Sequence, residues 1–507
     1  MSTAQDYQAA EQLLHRPARP GELVVGDRVR PQWIDGGARF WYSVSDGSGR
    51  CGGGRRFVLV DPAAGTREPA FDHARLAAAL ATASGQPVDP GALPLTAFRP
   101  TGNAVEFAAL GGYWRCRLDD YTCEPAESTP PGSPLEVPSP DGKLTVARRG
   151  HDLWARSLSD GREWALTTDG APDHQYGTGP AGIADTTLLR RIGLPYLPPA
   201  VAWSPDSTRV LTHRTDERGV RRTHPVAARP ADGGAPAVPA QRNAHPGDET
   251  VPQAELVVLD VVAGTVVRAR TEPLPMPQVS PIATKWAWWA EDGSAVYYLA
   301  RPRGPRTLSL HRLDPATGEV TTVLSESGDT RVEPNQWLYE PPIVRVLADE
   351  VLWCSQRDGW GHLYRYDLHT GALLGQVTSG PWTVRQILRV DETERVVYFT
   401  ATGRVEEDPH HRTVCRAALD GPRFGSGAGF GFSLAFGFGL GSGLGPGSGL
   451  GPGSGFGFAE LTDDELDHAV TVADGQEYFI DSASTVDTPP VTRVRDWTGR
   501  VLVELFG

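Results

Sequence analysis

The sequence predicts an all-β protein, a radial β-propeller of about eight four-stranded blades with seven as the neighbouring count, on three observations. Short strands of β-branched and aromatic residues recur along the chain, Gly and Pro are abundant at 58 and 44 residues, and turn strings such as Pro-Asp-Gly introduce the strands. A chain of 507 residues also exceeds the span of one hydrophobic core, so it needs several domains or a repeat. A propeller meets that need because each sheet buries both faces against its neighbours. A β-sandwich uses far fewer strands, and a solenoid a tighter period.

Residues 1–37 form a lead-in. Within it, Ala9, Ala10, Leu13 and Leu14 fall at helical spacing over Gln5 to His15, before Pro17 and Pro20 stop the helix. The propeller occupies 38–507. Its repeated strands start at Ala38, Ala104, Lys143, Arg209, Ala295, Glu350, Arg395 and Gln476, with partner strands close behind at Asp152, Leu308 and His362. A helix over Phe71 to Ala83, ending near Gly85, reads as an insertion or cap. Two stretches break the repeat. Arg218 to Thr250 is rich in Arg, Pro and Ala and separates the strand at Arg209 from its partner at Glu255. Phe424 to Phe458 is about half Gly and reads as a low-complexity loop.

Apolar residues at 39% with 14 Trp indicate a packed, folded chain. A net charge of −14 argues against a nucleic-acid partner, which needs clustered Lys and Arg. The N-terminus has no basic leader with an apolar core, and no uncharged apolar run reaches membrane-spanning length, so a soluble, cytoplasmic protein without membrane contact is expected. Five Cys (51, 116, 123, 354 and 415) suggest free thiols in preference to a disulfide framework, with Cys116 and Cys123 the one pair that could bond. His410-His411 lacks the i, i+4 spacing of a metal pair, and no metal or cofactor is expected.

Three passages carry a resemblance: Ser139 to Gly170 followed by the Trp-Ser-Pro-Asp strand from Val201; Val351 to Val384, with S-x-R-D-G-W-x-H-L-Y joined to T-S-G-x-W-x-V; and Tyr478 to Leu505. Together they resemble the N-terminal propeller of the prolyl oligopeptidase family, in its dipeptidyl-peptidase IV branch. The resemblance implies a serine-type peptidase in which the propeller gates peptide substrates toward a C-terminal α/β-hydrolase domain. That domain carries Gly-x-Ser-x-Gly, Asp and His in the family. The chain holds no Gly-x-Ser-x-Gly; its nearest string, GFSLA at Gly431, lies in the Gly-rich run. The hydrolase domain is therefore expected to be missing from this chain, which alone would be inactive and has no catalytic residue to name. The alternatives are a stand-alone propeller acting as a protein-interaction scaffold, an acylaminoacyl-peptidase-like propeller, and a periplasmic binding propeller. Self-association into a homo-oligomer stays open.

Most of the motifs have structural roles in a propeller. Asp206 should accept hydrogen bonds in its turn, Trp203, Trp289, Trp353, Trp360 and Trp382 should fill contacts between blades, and His362 and Asp358 should make structural hydrogen bonds. For binding, the resemblance implies paired Glu residues before the Trp-Ser-Pro-Asp strand to hold a substrate ammonium. Residues 171–202 contain no Glu and only Asp173 and Asp185 as carboxylates. The substitutes are the cluster Asp216, Glu217 and Arg218, the pair Asp248 and Glu249, and Glu340 beside Tyr339. Arg190-Arg191 could instead meet a carboxylate.

Overall fold

The computed structural model describes residues 29–45, 55–126, 135–184, 197–226, 240–276, 279–334, 340–421, 457–473 and 475–506, with single positions between 3 and 11 and between 228 and 238. Most of the helix expected over Gln5 to His15, positions 424–456 of the Gly-rich run, and Cys51 lie outside them. Among the described residues the strands form seven four-stranded antiparallel sheets, one six-stranded sheet and a two-stranded hairpin. The chain is an eight-bladed β-propeller. The blades span 32–69, 96–125, 136–165, 174–275, 287–327, 344–376, 383–460 and 467–506, so the first begins inside the stretch read as lead-in. Residues 1–342 with 466–507 form one compact unit, holding blades 1 to 5 and 8; residues 343–465 form a second, holding blades 6 and 7.

Each repeated strand read from the sequence is the second of its blade, as in Arg39–Ser45, Leu144–Arg149, Glu350–Ser355 and Tyr478–Ser484. That strand is paired on both sides and buried on both faces, so it must be the most apolar. Glu350–Ser355, for example, is buried from Val351 onward. Neighbouring blades share cores: Phe40, Tyr42 and Val60 of blade 1 pack with Tyr478, Ile480 and Val494 of blade 8, and Val146 and Leu153 of blade 3 with Val210 and Val257 of blade 4. The Tyr478 hydroxyl donates to Gly37 O at 2.6 Å, and Gln476 Nε2 to Gly36 O at 2.8 Å.

Indole N–H groups tie adjacent blades. Trp164 donates to Val261 O at 2.9 Å, Trp203 to Val137 O at 3.1 Å and Trp289 to Ala202 O at 2.9 Å. Trp353 and Trp382 are buried as expected, but Trp360 is 45% exposed; it lies in the turn that follows the blade's second strand and is a correction to the sequence reading. The Ser-Pro-Asp turns behave alike. Asp141 and Asp206 each accept from the Ser two residues earlier, at 2.7 and 2.5 Å. Gly142 takes the left-handed φ of 68° that ends the first turn; Ser207 takes 61° in the second, and its hydroxyl accepts from Asp141 N at 3.1 Å. The helix His73–Ser84 starts on an Asp72 cap that accepts from Ala74 N and Arg75 N, and ends at left-handed Gly85.

Cys116 and Cys123 form a disulfide, against the expectation of free thiols. The reason is register: the turn between Gly112–Arg117 and Cys123–Pro125 sets the two residues directly opposite each other, with Cα atoms 4.0 Å apart, a pairing that Cys spacing alone does not reveal. Cys354 and Cys415 are buried. Replacing both bonded cysteines with Ser should lower the unfolding free energy by about 2–3 kcal/mol, the loop-closure value for a bridge this short. Denaturant titration with and without reductant would check it, and reductant should have little effect on the variant. No helix among the described residues is long and apolar enough to cross a membrane.

Candidate functional site

In blade 4 the excursion at 218–250 leaves between two paired strands, Arg209–Asp216 and Gln253–Asp260. The strand ends at that rim are in register: His174 opposite Asp216 and Asp216 opposite Gln253, then Tyr176 opposite Arg214 and Arg214 opposite Glu255. Directly opposed residues share a face, and so do residues two apart, which gathers six polar side chains on one side. Five of them, His174, Arg214, Asp216, Gln253 and Glu255, line a cleft of about 540 Å³ together with Arg268 and Pro273.

The charges in the cleft are paired. Arg268 bonds Glu255 at 2.6 Å and Asp169 at 3.1 Å, and donates to the Tyr176 hydroxyl at 2.9 Å. That hydroxyl donates to Asp169 Oδ1 at 2.8 Å. Arg214 reaches Asp169 Oδ2 at 3.0 Å and lies over the Tyr176 ring. Burial works against the Asp169 carboxylate, yet Tyr176, Arg214 and Arg268 outweigh it and hold its pKa below the usual range. Burial pushes the Tyr176 hydroxyl up, as does its bond to Asp169. The Arg218 guanidinium holds Asp216 down at about 2. Burial first, then the fields of Arg214 and Arg218, lower the pKa of His174, so its imidazole is neutral near pH 7. The cleft offers fixed donors and acceptors for binding a polar ligand. No group of three or more His, Cys, Asp or Glu suited to a metal ion occurs among the described residues.

On the opposite face, fully buried His213 ties blade 4 to the segment before blade 5. The Thr215 hydroxyl donates to Thr178 O at 2.6 Å and faces His213 Nδ1 at 3.1 Å, while His213 Nε2 lies 2.7 Å from Ser280 Oγ. Because the single Thr215 proton goes to Thr178, Nδ1 carries the imidazole proton and Nε2 accepts from Ser280. Burial lowers the His213 pKa to about 4 from 6.5. Below pH 6.5 the unfolded chain takes up a proton that the folded chain refuses. His213 therefore costs nothing above that pH and removes up to about 3 kcal/mol of stability as the pH falls from 6.5 to 4. Urea unfolding at about pH 7 and about pH 4.5, compared with His213→Gln, should show a smaller acid loss in the variant.

The residues singled out from sequence do not gather into one site. Asp216 lines the cleft, and Arg218 pairs with it at 2.7 Å on the exposed surface. Glu217 is buried, and its carboxylate accepts from Ala181 N at 3.1 and 3.2 Å. Asp248 pairs with Arg221 at 2.8 Å and accepts from His245 N. Glu249 is exposed and Glu340 half-buried. Asp173 accepts from Arg242 and Arg222. Asp185, Arg190, Arg191 and Tyr339 lie outside the described residues. His362 is structural: Nε2 donates to Gly380 O at 2.9 Å and Nδ1 lies 3.0 Å from Thr378 Oγ1. Asp358 accepts from Trp360 N, Tyr364 and Gln376. Sequence reasoning missed His174, Gln253, Glu255 and Arg268; the signal was polar residues two apart on consecutive strands otherwise apolar.

A family model described as the dipeptidyl peptidase IV (DPP IV) N-terminal region matches residues 105–490. The protein named Probable dipeptidyl peptidase 4 of Emericella nidulans is 26% identical over 291 residues, covering 54% of this chain and 34% of that protein. Probable dipeptidyl-aminopeptidase B of Aspergillus terreus is 24% identical over 327 residues, covering 61% and 35%. The crystal structure of Porphyromonas gingivalis dipeptidyl peptidase 4 shares the fold, with a TM-score of 0.58 at 15% identity over 94% of this chain and 59% of that one. The chain spans about a third of the length of the curated relatives it matches.

Proposed function

Because the chain belongs to the dipeptidyl peptidase IV N-terminal region family, we propose that it is the non-catalytic propeller of a serine peptidase, admitting short peptides to an α/β-hydrolase domain and contacting them at the blade 4 cleft. The observation that carries this reading is the extent of the family match, from the second strand of blade 2 into blade 8, in a chain without Gly-x-Ser-x-Gly. A nucleophile with an adjacent base is needed for acyl transfer. The 507-residue chain should therefore release no chromophore from dipeptidyl or aminoacyl anilides; turnover abolished by a serine-directed inhibitor would overturn the reading. The Cys116–Cys123 bond favours an oxidising compartment over the cytoplasm.

The Glu-free stretch 171–202 favours a second reading, an acylaminoacyl-type enzyme without an ammonium anchor. The two separate on fusion to a dipeptidyl-peptidase hydrolase domain. If Glu249 meets the ammonium, Glu249→Gln should lower kcat/KM for a free-amine substrate by about 10- to 100-fold and leave its N-acetylated counterpart unchanged, the loss of one charged hydrogen bond. Equal effects on both substrates, or none, remove Glu249 from the site and leave Asp185 as the anchor or an acylaminoacyl-type enzyme that needs none.

A further inference from the structure

His174 and Asp216 line the cleft, and the residues beside them, Asp173 and Glu217, make contacts elsewhere. Asp173 sits in the left-handed region at φ 58°, in the tight turn whose ends exchange backbone bonds, Ala171 N to His174 O at 2.8 Å and His174 N to Ala171 O at 2.9 Å. Pro172 precedes it, and the third position of such a turn ordinarily takes Gly or Asn. The aspartate is held there by Arg242, whose Nη2 and Nε donate to Oδ2 at 2.7 and 3.0 Å, and by Arg222 at 3.3 Å. Both arginines belong to the hairpin of the excursion, Arg222–Thr223 paired with Gln241–Arg242.

Glu217 completes the arrangement. Its backbone N–H donates to Asp173 O at 2.8 Å, and its carboxylate, only 1% exposed, accepts from Ala181 N. The segment that begins there is covered by the same hairpin, since a Cβ added to Gly182 would stand 2.8 Å from Asn243 Oδ1 and 3.3 Å from Arg242 O. Strain in a non-glycine turn persists only where its surroundings over-determine it, and here two guanidiniums and a buried carboxylate do so.

We infer that Asp173, Glu217 and Arg242 form a clamp through which the 218–250 excursion sets the wall of the blade 4 cleft, with Glu217 and Arg242 as positioning residues for the ligand bound there. Because neighbouring residues at a strand end serve different sides, fixing Asp173 and Glu217 fixes where His174 and Asp216 stand. The assignment of a peptide to the cleft rests on the function proposed above; the clamp itself does not.

The test uses the full chain with Glu217→Gln and Arg242→Gln, and two readouts that need no ligand. Amide exchange over 171–184 should quicken about tenfold or more, one hydrogen bond's worth, while the second strands of other blades keep their protection. The rate of His174 modification by diethyl pyrocarbonate should change in both variants. Unchanged exchange, or faster exchange with an unaltered His174 rate, overturns the clamp. A third arm titrates alanyl-alanine: tighter binding by wild type than by Arg242→Gln supports positioning, and equal binding overturns it. If wild type binds no dipeptide, the peptide reading falls, and the exchange and His174 results still decide the clamp.

Discussion

Replacing Asp481 with Ala should lower the unfolding free energy by about 3–5 kcal/mol, the cost of leaving a buried cation without its counter-ion. Asp481 lies on the second strand of blade 8, 1% exposed; its Oδ2 accepts from Arg495 Nε at 2.9 Å and its Oδ1 lies 2.8 Å from His468 Nδ1. His468 is fully buried and Arg495 nearly so. Removing the carboxylate leaves the guanidinium its Gly499 O contact at 2.9 Å and takes away its charge partner. A double variant, Asp481→Leu with Arg495→Met, should recover much of the loss, because a buried pair replaced as a unit leaves no orphaned charge. Guanidinium unfolding of the three proteins decides this. A single variant within about 1 kcal/mol of wild type, well short of the buried-pair cost, would show that solvent reaches the cluster.

Trp382→Ala should cost a similar amount, about 3–5 kcal/mol for an aromatic deleted from a packed core. Within the unit 343–465, Trp382 is 3% exposed, meets His362 edge-on at 4.7 Å and lies nearly parallel to Phe399 at 5.9 Å. Two glycines make room for it. A Cβ on Gly380, at φ 133°, would run into the indole, and one on Gly403 would sit 3.2 Å from Trp382 Cα. Gly380→Ala should therefore destabilise as well, even though it adds a single methyl group. Thermal unfolding followed by near-ultraviolet circular dichroism would test both. If Trp382→Ala shifted the midpoint by less than a degree or so, the site would be one that collapses readily around the cavity.

The T-S-G-x-W string could be read from the sequence because its physics is local: a glycine two residues before a large ring, in a turn that must wrap it. The second strands of the blades were legible for a related reason, since a strand buried on both faces has a composition no edge strand can share. The cleft was not. His174, Arg214 and Gln253 become neighbours only through strand registers set across a long intervening excursion, and a one-residue slip would move each to the other face. Glu217 was visible as an acidic residue after a strand, but nothing in Asp-Glu-Arg distinguishes a carboxylate turned inward onto Ala181 N from one turned toward solvent or substrate. The Cys116–Cys123 bond was hidden by the same limit.

The bonds from Gly36 and Gly37 to Gln476 and Tyr478 join positions 440 and 441 residues apart, whereas strand pairings inside a blade join residues far closer in sequence, even across the 218–250 excursion and the Gly-rich run. Closing a loop costs entropy that grows with the logarithm of its length, about 0.6 kcal/mol per doubling, so individual blades can form early and the seam between the first and last can form only late. Until residues 478–505 leave the ribosome, the face of blade 1 bearing Phe40, Tyr42 and Val60 has no partner for its core. Synthesis at about 5–20 residues per second leaves that apolar face uncovered for roughly half a minute or more, and it is there that a chaperone or a second nascent chain would find its first purchase.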